Sequence, residues 1–368
     1  MEGAIILLTK IVSCCTIYML YDNEKIYFII EEGEEKMKKF LVCALAAVLT
    51  LSTLAGCGSK PASSNTGGSN SGDSNGEKYV VGICQLVQHA ALDAATQGFK
   101  DALKEEFGDN IEFKEQNAQG DSNTCATIIN GFVSDNVDLI LANATPALQA
   151  AAAGTNEIPV LGTSVTEYGV ALGIEGFTGT VGNNISGTSD LAPLDGQADM
   201  IKELFPDVKK VGLLYCSAEA NSQYQVDVVK ECLEKMGYTC TFYSFSDSND
   251  LSAVATKAAS ESELIYVPTD NTVADNAEIV NNICVPAGVP VIAGEENICK
   301  KCGVATLSIS YYDLGVGTAK MAAKILKGEA KISEMPIEYA PQFTKKYNKA
   351  LCEQLNITIP EGYEAIAE

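Results

Sequence analysis

From Tyr79 onward, short apolar runs alternate with stretches whose apolar residues recur every three or four positions, and the alternation runs through twice. No other feature restricts the fold so tightly. An apolar run of four to eight residues is a strand buried on both faces, and the helical period marks an amphipathic cover for it. In the first round, strands are predicted at 79–84, 111–118, 139–144 and 159–163, with helices at 96–107, 125–133 and 147–153. In the second, strands are predicted at 210–216, 238–245, 264–268 and 289–293, with helices at 225–236, 251–259, 273–283 and 314–326. The rounds resemble each other: Val81-Gly-Ile-Cys84 answers Val211-Gly-Leu-Leu-Tyr-Cys216, and Asp138-Leu-Ile-Leu-Ala142 answers Glu263-Leu-Ile-Tyr-Val267. Strands alternating with helices mean parallel sheets covered on both faces. The expected class is α/β, two doubly wound parallel-sheet lobes joined by a hinge. Lobe 1 is expected to comprise 79–190 plus 310–334, and lobe 2 191–309 plus 335–368. Two such lobes place the carboxyl ends of their strands around one cleft, which a hinge can close.

The residues before Tyr79 have a different character. Met37-Lys38-Lys39 opens a positive region, 40–54 is apolar, and Leu54-Ala55-Gly56-Cys57 follows. This is the layout of a signal peptide, here 37–56. The alternative, a plain transmembrane anchor, is disfavoured by the short apolar stretch and the small residues after it. The Leu-Ala-Gly-Cys run resembles the lipobox of bacterial lipoproteins. That resemblance implies a diacylglyceryl group on the Cys57 thiol, cleavage before it, and lipid anchoring on the extracytoplasmic face of the cell membrane. Several acyl chains hold far more firmly than one. Residues 57–78 are nearly all small and polar, as a flexible tether requires. Residues 1–36 carry apolar pieces at 5–8 and 11–20 and an acidic run at 31–35. A signal peptide begins at its own Met, so translation is expected to start at Met37 and 1–36 to be an extension.

A formal net charge of −23 with scattered lysines excludes a nucleic-acid partner. The single histidine, His89, excludes a His-based catalytic triad and argues against a multi-His metal site. No Gly-x-Ser-x-Gly elbow occurs. Gly315-Val-Gly317-Thr-Ala-Lys320 departs from phosphate-loop spacing and falls in a helical pattern, so its glycines are expected to serve close packing. No catalytic residue, metal or cofactor is expected. Of the 13 cysteines, those from Cys84 to Cys352 are odd in number, so at least one is unpaired. Cys299-x-x-Cys302 suits a redox pair or a local disulfide; the expectation is a solvent-side turn with two thiols. Cys84 and Cys216 sit in apolar runs as small core residues.

Polar residues recur where the predicted strands end: Gln85 and His89, Asn143 and Thr145, Thr163 and Ser164, Asn221 and Ser222, Asp270 and Asn271, and Glu295. That recurrence is what a binding cleft needs. Thr145-Pro146 is expected to be an N-cap and a first-turn proline, with free N–H groups suited to a carboxylate. Asp270 and Glu295 suit an ammonium group. Each residue alone has a plainer role: Thr145, Asp270 and Asn271 as helix caps, and His89 as a structural histidine. Tyr168, Phe177 and Tyr215 are candidates for an apolar side-chain patch.

Seven segments in order carry a resemblance: Gly82-Ile-Cys-Gln-Leu-Val-Gln-His89-Ala-Ala-Leu-Asp93, Thr145-Pro-Ala-Leu-Gln149, Gly187-Thr-Ser-Asp190, Asn221-Ser222, Pro268-Thr-Asp270-Asn271, Gly294-Glu-Glu296 and Tyr311-Tyr-Asp-Leu-Gly315. The region from Tyr79 to Pro360 resembles the tryptophan/tyrosine-type substrate-binding proteins of ABC transporters. Ala90-Ala91, where members often carry Pro, and the lack of Trp are departures. The resemblance implies a type I periplasmic-binding-protein fold and capture of a small solute, an aromatic amino acid in characterised members. It adds Asp190 to the binding set, and an ABC permease with its ATPase as partners. Other readings are a ligand-sensing lipoprotein acting on a membrane receptor, a secreted enzyme on the same fold, and binding of a sugar or nucleoside.

Overall fold

A computed structural model describes residues 10–12, 15–22, 25–32, 78–340 and 342–367. The expected signal peptide 37–56, Cys57 and all of the expected tether but Lys78 lie outside the described residues. Within the expected extension, β1 (Lys10–Val12), β2 (Cys15–Asp22) and β3 (Lys25–Glu32) form an antiparallel sheet of their own, with Cys15 opposite Glu32 and Asp22 opposite Lys25. Among the described residues no helix is long and apolar enough to cross a membrane.

The remainder forms two lobes. Lobe 1 begins with β4 (Tyr79–Gln85), α1 (Ala90–Phe107), β5 (Ile111–Asn117), α2 (Ser122–Ser134), β6 (Leu139–Asn143), α3 (Thr145–Gly154), β7 (Val160–Val165), α4 (Tyr168–Leu172) and β8 (Ile185–Ser189). The chain then crosses to lobe 2: α5 (Leu194–Leu204), β9 (Lys210–Cys216), α6 (Ala220–Lys235), β10 (Thr239–Phe245), α7 (Ser248–Glu261), β11 (Leu264–Val267), α8 (Asn271–Cys284), β12 (Val291–Ala293), α9 (Glu296–Cys302) and β13 (Ala305–Ser308). It returns to lobe 1 for α10 (Tyr311–Leu326) and β14 (Glu338–Tyr339), and ends in lobe 2 with β15 (Thr344–Tyr347), α11 (Lys349–Gln354) and β16 (Glu364–Ala365). The last crossing therefore follows β14. The expected boundary at 334/335 is too early, because Met335 and Ile337 are buried in lobe 1 and Glu338 and Tyr339 pair with Thr188 and Ser189.

The sheets run β14-β8-β7-β6-β4-β5 and β10-β9-β11-β12-β13-β15-β16, with only β15 antiparallel to its neighbour β13. Central strands such as β6 and β11 are buried along their whole length, and each sheet has a separate apolar core on either face. That is the burial a doubly wound sheet imposes. The first five strands of each lobe are ordered 2-1-3-4-5, which leaves a crevice between β4 and β6 in one and between β9 and β11 in the other.

Helices α1 and α10 pack backbone to backbone. A Cβ on Gly315 would stand 2.0 Å from the Ala95 carbonyl oxygen, and one on Gly98 2.2 Å from that of Tyr312. Gly315 thus has the packing role expected of it, whereas Gly317 meets nothing nearer than 3.8 Å. Gly315→Val is expected to destabilise by at least the roughly 1–3 kcal/mol typical of overpacking. The measurement is the denaturant midpoint, and an unchanged midpoint would show that the helices can part without cost.

Cys299 and Cys302 do not occupy a solvent-side turn. Both lie on α9, buried in a lobe 2 core, because the helix turns both thiols inward. The cysteines from Cys84 to Cys352 are all free.

Candidate functional site

The loops after β4, β7 and β8 in lobe 1 and after β9, β11 and β12 in lobe 2 meet around one narrow cavity. It is bordered by His89, Ser164 and Asp190 from the first set and Asn221, Asp270, Asn271 and Glu295 from the second. Thr166, Thr269 and Tyr311 complete its polar wall, and Leu92 and Ala274 its apolar one. A direct bond spans the lobes: His89 Nε2 lies 3.2 Å from Asn271 Oδ1. Asn271 Nδ2 donates to Glu219 Oε2 at 2.7 Å. That fixes the amide orientation, so His89 Nε2 donates and its Nδ1 is the free nitrogen.

Four buried polar atoms on this wall have no partner: His89 Nδ1, Ser164 Oγ, Asp190 Oδ1 and Asn221 Oδ1. Their residues are 8%, 5%, 4% and 4% exposed, respectively. An unsatisfied buried polar group costs about 1–3 kcal/mol, so such groups are rare, and four on one cavity mark a site shaped for a polar guest. Ser164 reaches its position through a left-handed backbone (φ 53°) at an irregularity in the β7–β8 pairing. Neighbouring Ala144 has φ 94°. Strain of this kind collects at functional sites.

The cavity is rich in carboxyl groups. Burial raises Asp190 to about 6, against the opposing hydrogen bond from Tyr311, whose hydroxyl donates to Asp190 Oδ2 at 2.9 Å. Burial, with Glu219 beside it, raises Asp270 to about 7. Burial also raises Glu295, and His89 opposes that shift. These carboxylates are partly engaged. Asp270 caps α8 through Val273 N and ties down Cys216 N at 2.7 Å, while Glu295 caps α9 through Asn297 N and Ile298 N. Asp190 keeps one oxygen unused.

Other candidates stand behind the wall. Gln85 spends its amide on Asp93, Val87 and Thr96, fixing the β4–α1 turn. Thr163 meets Thr188 inside lobe 1, on the side toward α10. Ser222 is fully buried beneath Asn221. Thr145 is not the N-cap: α3 begins with it, Ala144 holds the cap position, and no side chain caps the helix. The aromatic candidates also lie elsewhere. Tyr168 fills lobe 1, donating to Thr188 O, and Phe177 packs on the same core. Tyr215 is in a lobe 2 core, bonded to Gln223.

Sequence reading missed Tyr311 and Glu219 as site residues. Glu219 accepts from Asn221 Nδ2, Asn271 N and Nδ2, and Thr272 N and Oγ1, and so sets the lobe 2 wall.

Two hinged α/β lobes with orphaned polar groups at the strand ends define a periplasmic-binding-protein-like receptor. The family model described as ABC transporter substrate binding protein matches residues 80–368, and the chain belongs to that family. It is a binding protein, not an enzyme. It is 35% identical over 305 residues to the tyrosine-binding protein of Clostridioides difficile strain R20291, covering 82% of this chain and 88% of that one. Among solved structures it is similar to an ABC domain from Streptococcus pneumonia in complex with L-Trp (32% identity, 79% of this chain and 100% of the other, TM-score 0.75). It is also similar to the ligand-free, open structure of a substrate-binding protein with adhesive properties from Clostridium difficile (36% identity, 78% and 99%, TM-score 0.61).

Proposed function

We propose that the protein captures an amino acid, in the first place an aromatic one, between its lobes outside the cytoplasm and delivers it to the permease and ATPase of an ABC importer. In this reading Cys57 carries the lipid that holds it to the membrane through the tether. The four unpartnered atoms carry the proposal. Asp190 Oδ1 and Asn221 Oδ1 can only accept hydrogen bonds, and they stand among buried carboxylates. Such a wall favours a cation able to donate several hydrogen bonds, which an ammonium group is. The Ser164 hydroxyl can donate to a carboxylate on the same ligand. The names of the relatives, a tyrosine-binding protein and an L-Trp complex, support an aromatic side chain.

The mechanism is closure. The chain fits the L-Trp-bound structure better than the open one, 0.75 against 0.61, although its identity to the open one is higher. A relative rotation of lobes lowers such a fit without changing either lobe. With His89 bonded to Asn271, the cavity holds about 10 Å³ of free space, room for about one water. A ligand therefore enters when the lobes part, and contacts to both lobes draw them together again.

The test is a thermal-shift panel of amino acids, sugars and nucleosides on the purified protein. Tyrosine, phenylalanine or tryptophan at about a hundredfold above its dissociation constant is expected to add about 2.7 kcal/mol of stability. No response to any amino acid, with a response to a sugar or nucleoside, would reject the ligand assignment.

A further inference from the structure

Among the described residues, the inner cavity offers a ligand polar groups but little hydrocarbon, from Leu92 and Ala274. On the far side of Asn271, which borders both spaces, lies a second interlobe chamber of about 210 Å³. Leu86, Val87 and Pro146 from lobe 1 face Cys216 and Ala218 from lobe 2 across it. These residues lie at or just beyond the ends of β4, β6 and β9, at the crevices where both sheets reverse their strand order. The acidic residues on its wall are Glu219, Asp247 and Asp275, and among the described residues no Lys or Arg borders it. Glu219 is already filled by its five donors, and Asp247 caps α7 through Asn249 N.

We propose that this outer chamber is the side-chain subsite, and that it selects an uncharged or cationic side chain with an apolar body over an acidic one. The inference rests on the amino-acid reading above. With the lobes parted far enough to break the His89–Asn271 bond, the ammonium and carboxylate occupy the inner cavity, and the side chain passes Asn271 into the chamber. A phenol or indole lays its ring on the Leu86–Val87–Pro146 wall and turns its polar atom to the wet, acidic rim. A glutamate or aspartate side chain meets carboxylates there with no cation to offset them. This also accounts for the distance of Tyr168, Phe177 and Tyr215 from the ligand: the platform is aliphatic and belongs to lobe 1.

Ala218 is exposed, so Phe there can fill the chamber without entering a core, whereas half-buried Val87 packs against a lobe 1 core, so its Phe variant is read beside its own melting temperature. Calorimetric titration with L-tyrosine and L-glutamate is applied to the wild-type protein, Ala218→Phe, Val87→Phe and Asp190→Asn. Wild type is expected to bind tyrosine at least tenfold more tightly than glutamate. Ala218→Phe is expected to melt as wild type does, both Phe variants to lose at least tenfold in tyrosine affinity, and Asp190→Asn to lose roughly thirtyfold or more for both ligands. Wild-type-like tyrosine binding by both Phe variants would overturn the subsite and leave the amino-acid reading standing. Equal wild-type affinity for both ligands would overturn the charge selection. No binding of tyrosine, phenylalanine, tryptophan or glutamate by the wild-type protein would remove both inferences.

Discussion

Asp190→Asn is expected to raise the melting temperature of the ligand-free protein near neutral pH and, in the same variant, to weaken ligand binding roughly thirtyfold or more. The first half follows from linkage. Asp190 is raised from 3.8 to about 6 in the folded state, a difference worth about 3 kcal/mol at full ionisation. Between those values the folded chain holds a proton that the unfolded chain has released. The associated stability is fully present below about 3.8 and is lost as pH rises through about 6. Asp270, raised to about 7, works in the same direction. An amide at 190 removes the charge and keeps an oxygen that can accept from Tyr311. A gain of several degrees at about pH 8 is therefore expected.

The second half follows from what the charge is for. A ligand ammonium would meet Asp190 Oδ1 in a site closed to water, and losing one partner of such a pair costs about 2–5 kcal/mol, roughly thirtyfold or more in affinity. Because ammonium binding releases the Asp190 proton, wild-type affinity should rise as pH climbs through about 6. Melting curves with and without tyrosine across that range read both effects. Were Asp190→Asn to melt lower than wild type at about pH 8, the carboxylate would be structural and the trade-off of stability for binding would be wrong.

Strand ends were legible in the sequence because a doubly wound sheet puts its loops in one place. His89, Asn221, Asn271 and Glu295 follow buried strands and all reach the cavity. The failures have local physical causes. Thr163 and Ser164 are adjacent, and side chains along a strand point to opposite faces, so only Ser164 faces the cleft; the pairing irregularity that aims it leaves no mark in the residue types. Thr145-Pro146 has the composition of a cap, but the turn into α3 is taken by Ala144 at φ 94°, which sequence preference argues against. β8, Ile-Ser-Gly-Thr-Ser, is small and polar and yields no apolar run, although Gly187 there and Gly162 of β7 make room for the Tyr168 ring. The Cys299 and Cys302 spacing is ambiguous until a helix is known to carry it. Glu219 stands among Ser217, Ala218 and Ala220 with no pattern around it, and its partners Asn271 and Thr272 lie more than fifty positions away.

Glu219→Ala should move stability the other way from Asp190→Asn. The first N–H groups of a helix have no partner within it, and at the start of α8 they are shared between two carboxylates: Asp270 takes Val273 N, and Glu219 takes Asn271 N and Thr272 N. Removing Glu219 strands both of those donors together with the Asn271 amide and the Thr272 hydroxyl, while the Asn221 amide keeps Thr269 O and Ser222 Oγ, at about 1–3 kcal/mol for each group left without water or partner. One term opposes this, because the Glu219 charge helps to raise Asp270, and its loss lets Asp270 ionise more easily. A net loss of about 3 kcal/mol is expected, several degrees in melting temperature for a fold of this size. Glu219→Gln should lie between, since its amide turns a donor toward donors. Ligand affinity should fall as well, because only Glu219 fixes the Asn271 amide with its oxygen toward His89. The two variants would thus share a binding defect and differ in the sign of their stability change. That pairing separates a carboxylate kept free for a ligand from one consumed in holding the wall. A wild-type melting temperature in Glu219→Ala would mean that the five hydrogen bonds contribute nothing beyond what water supplies in their place.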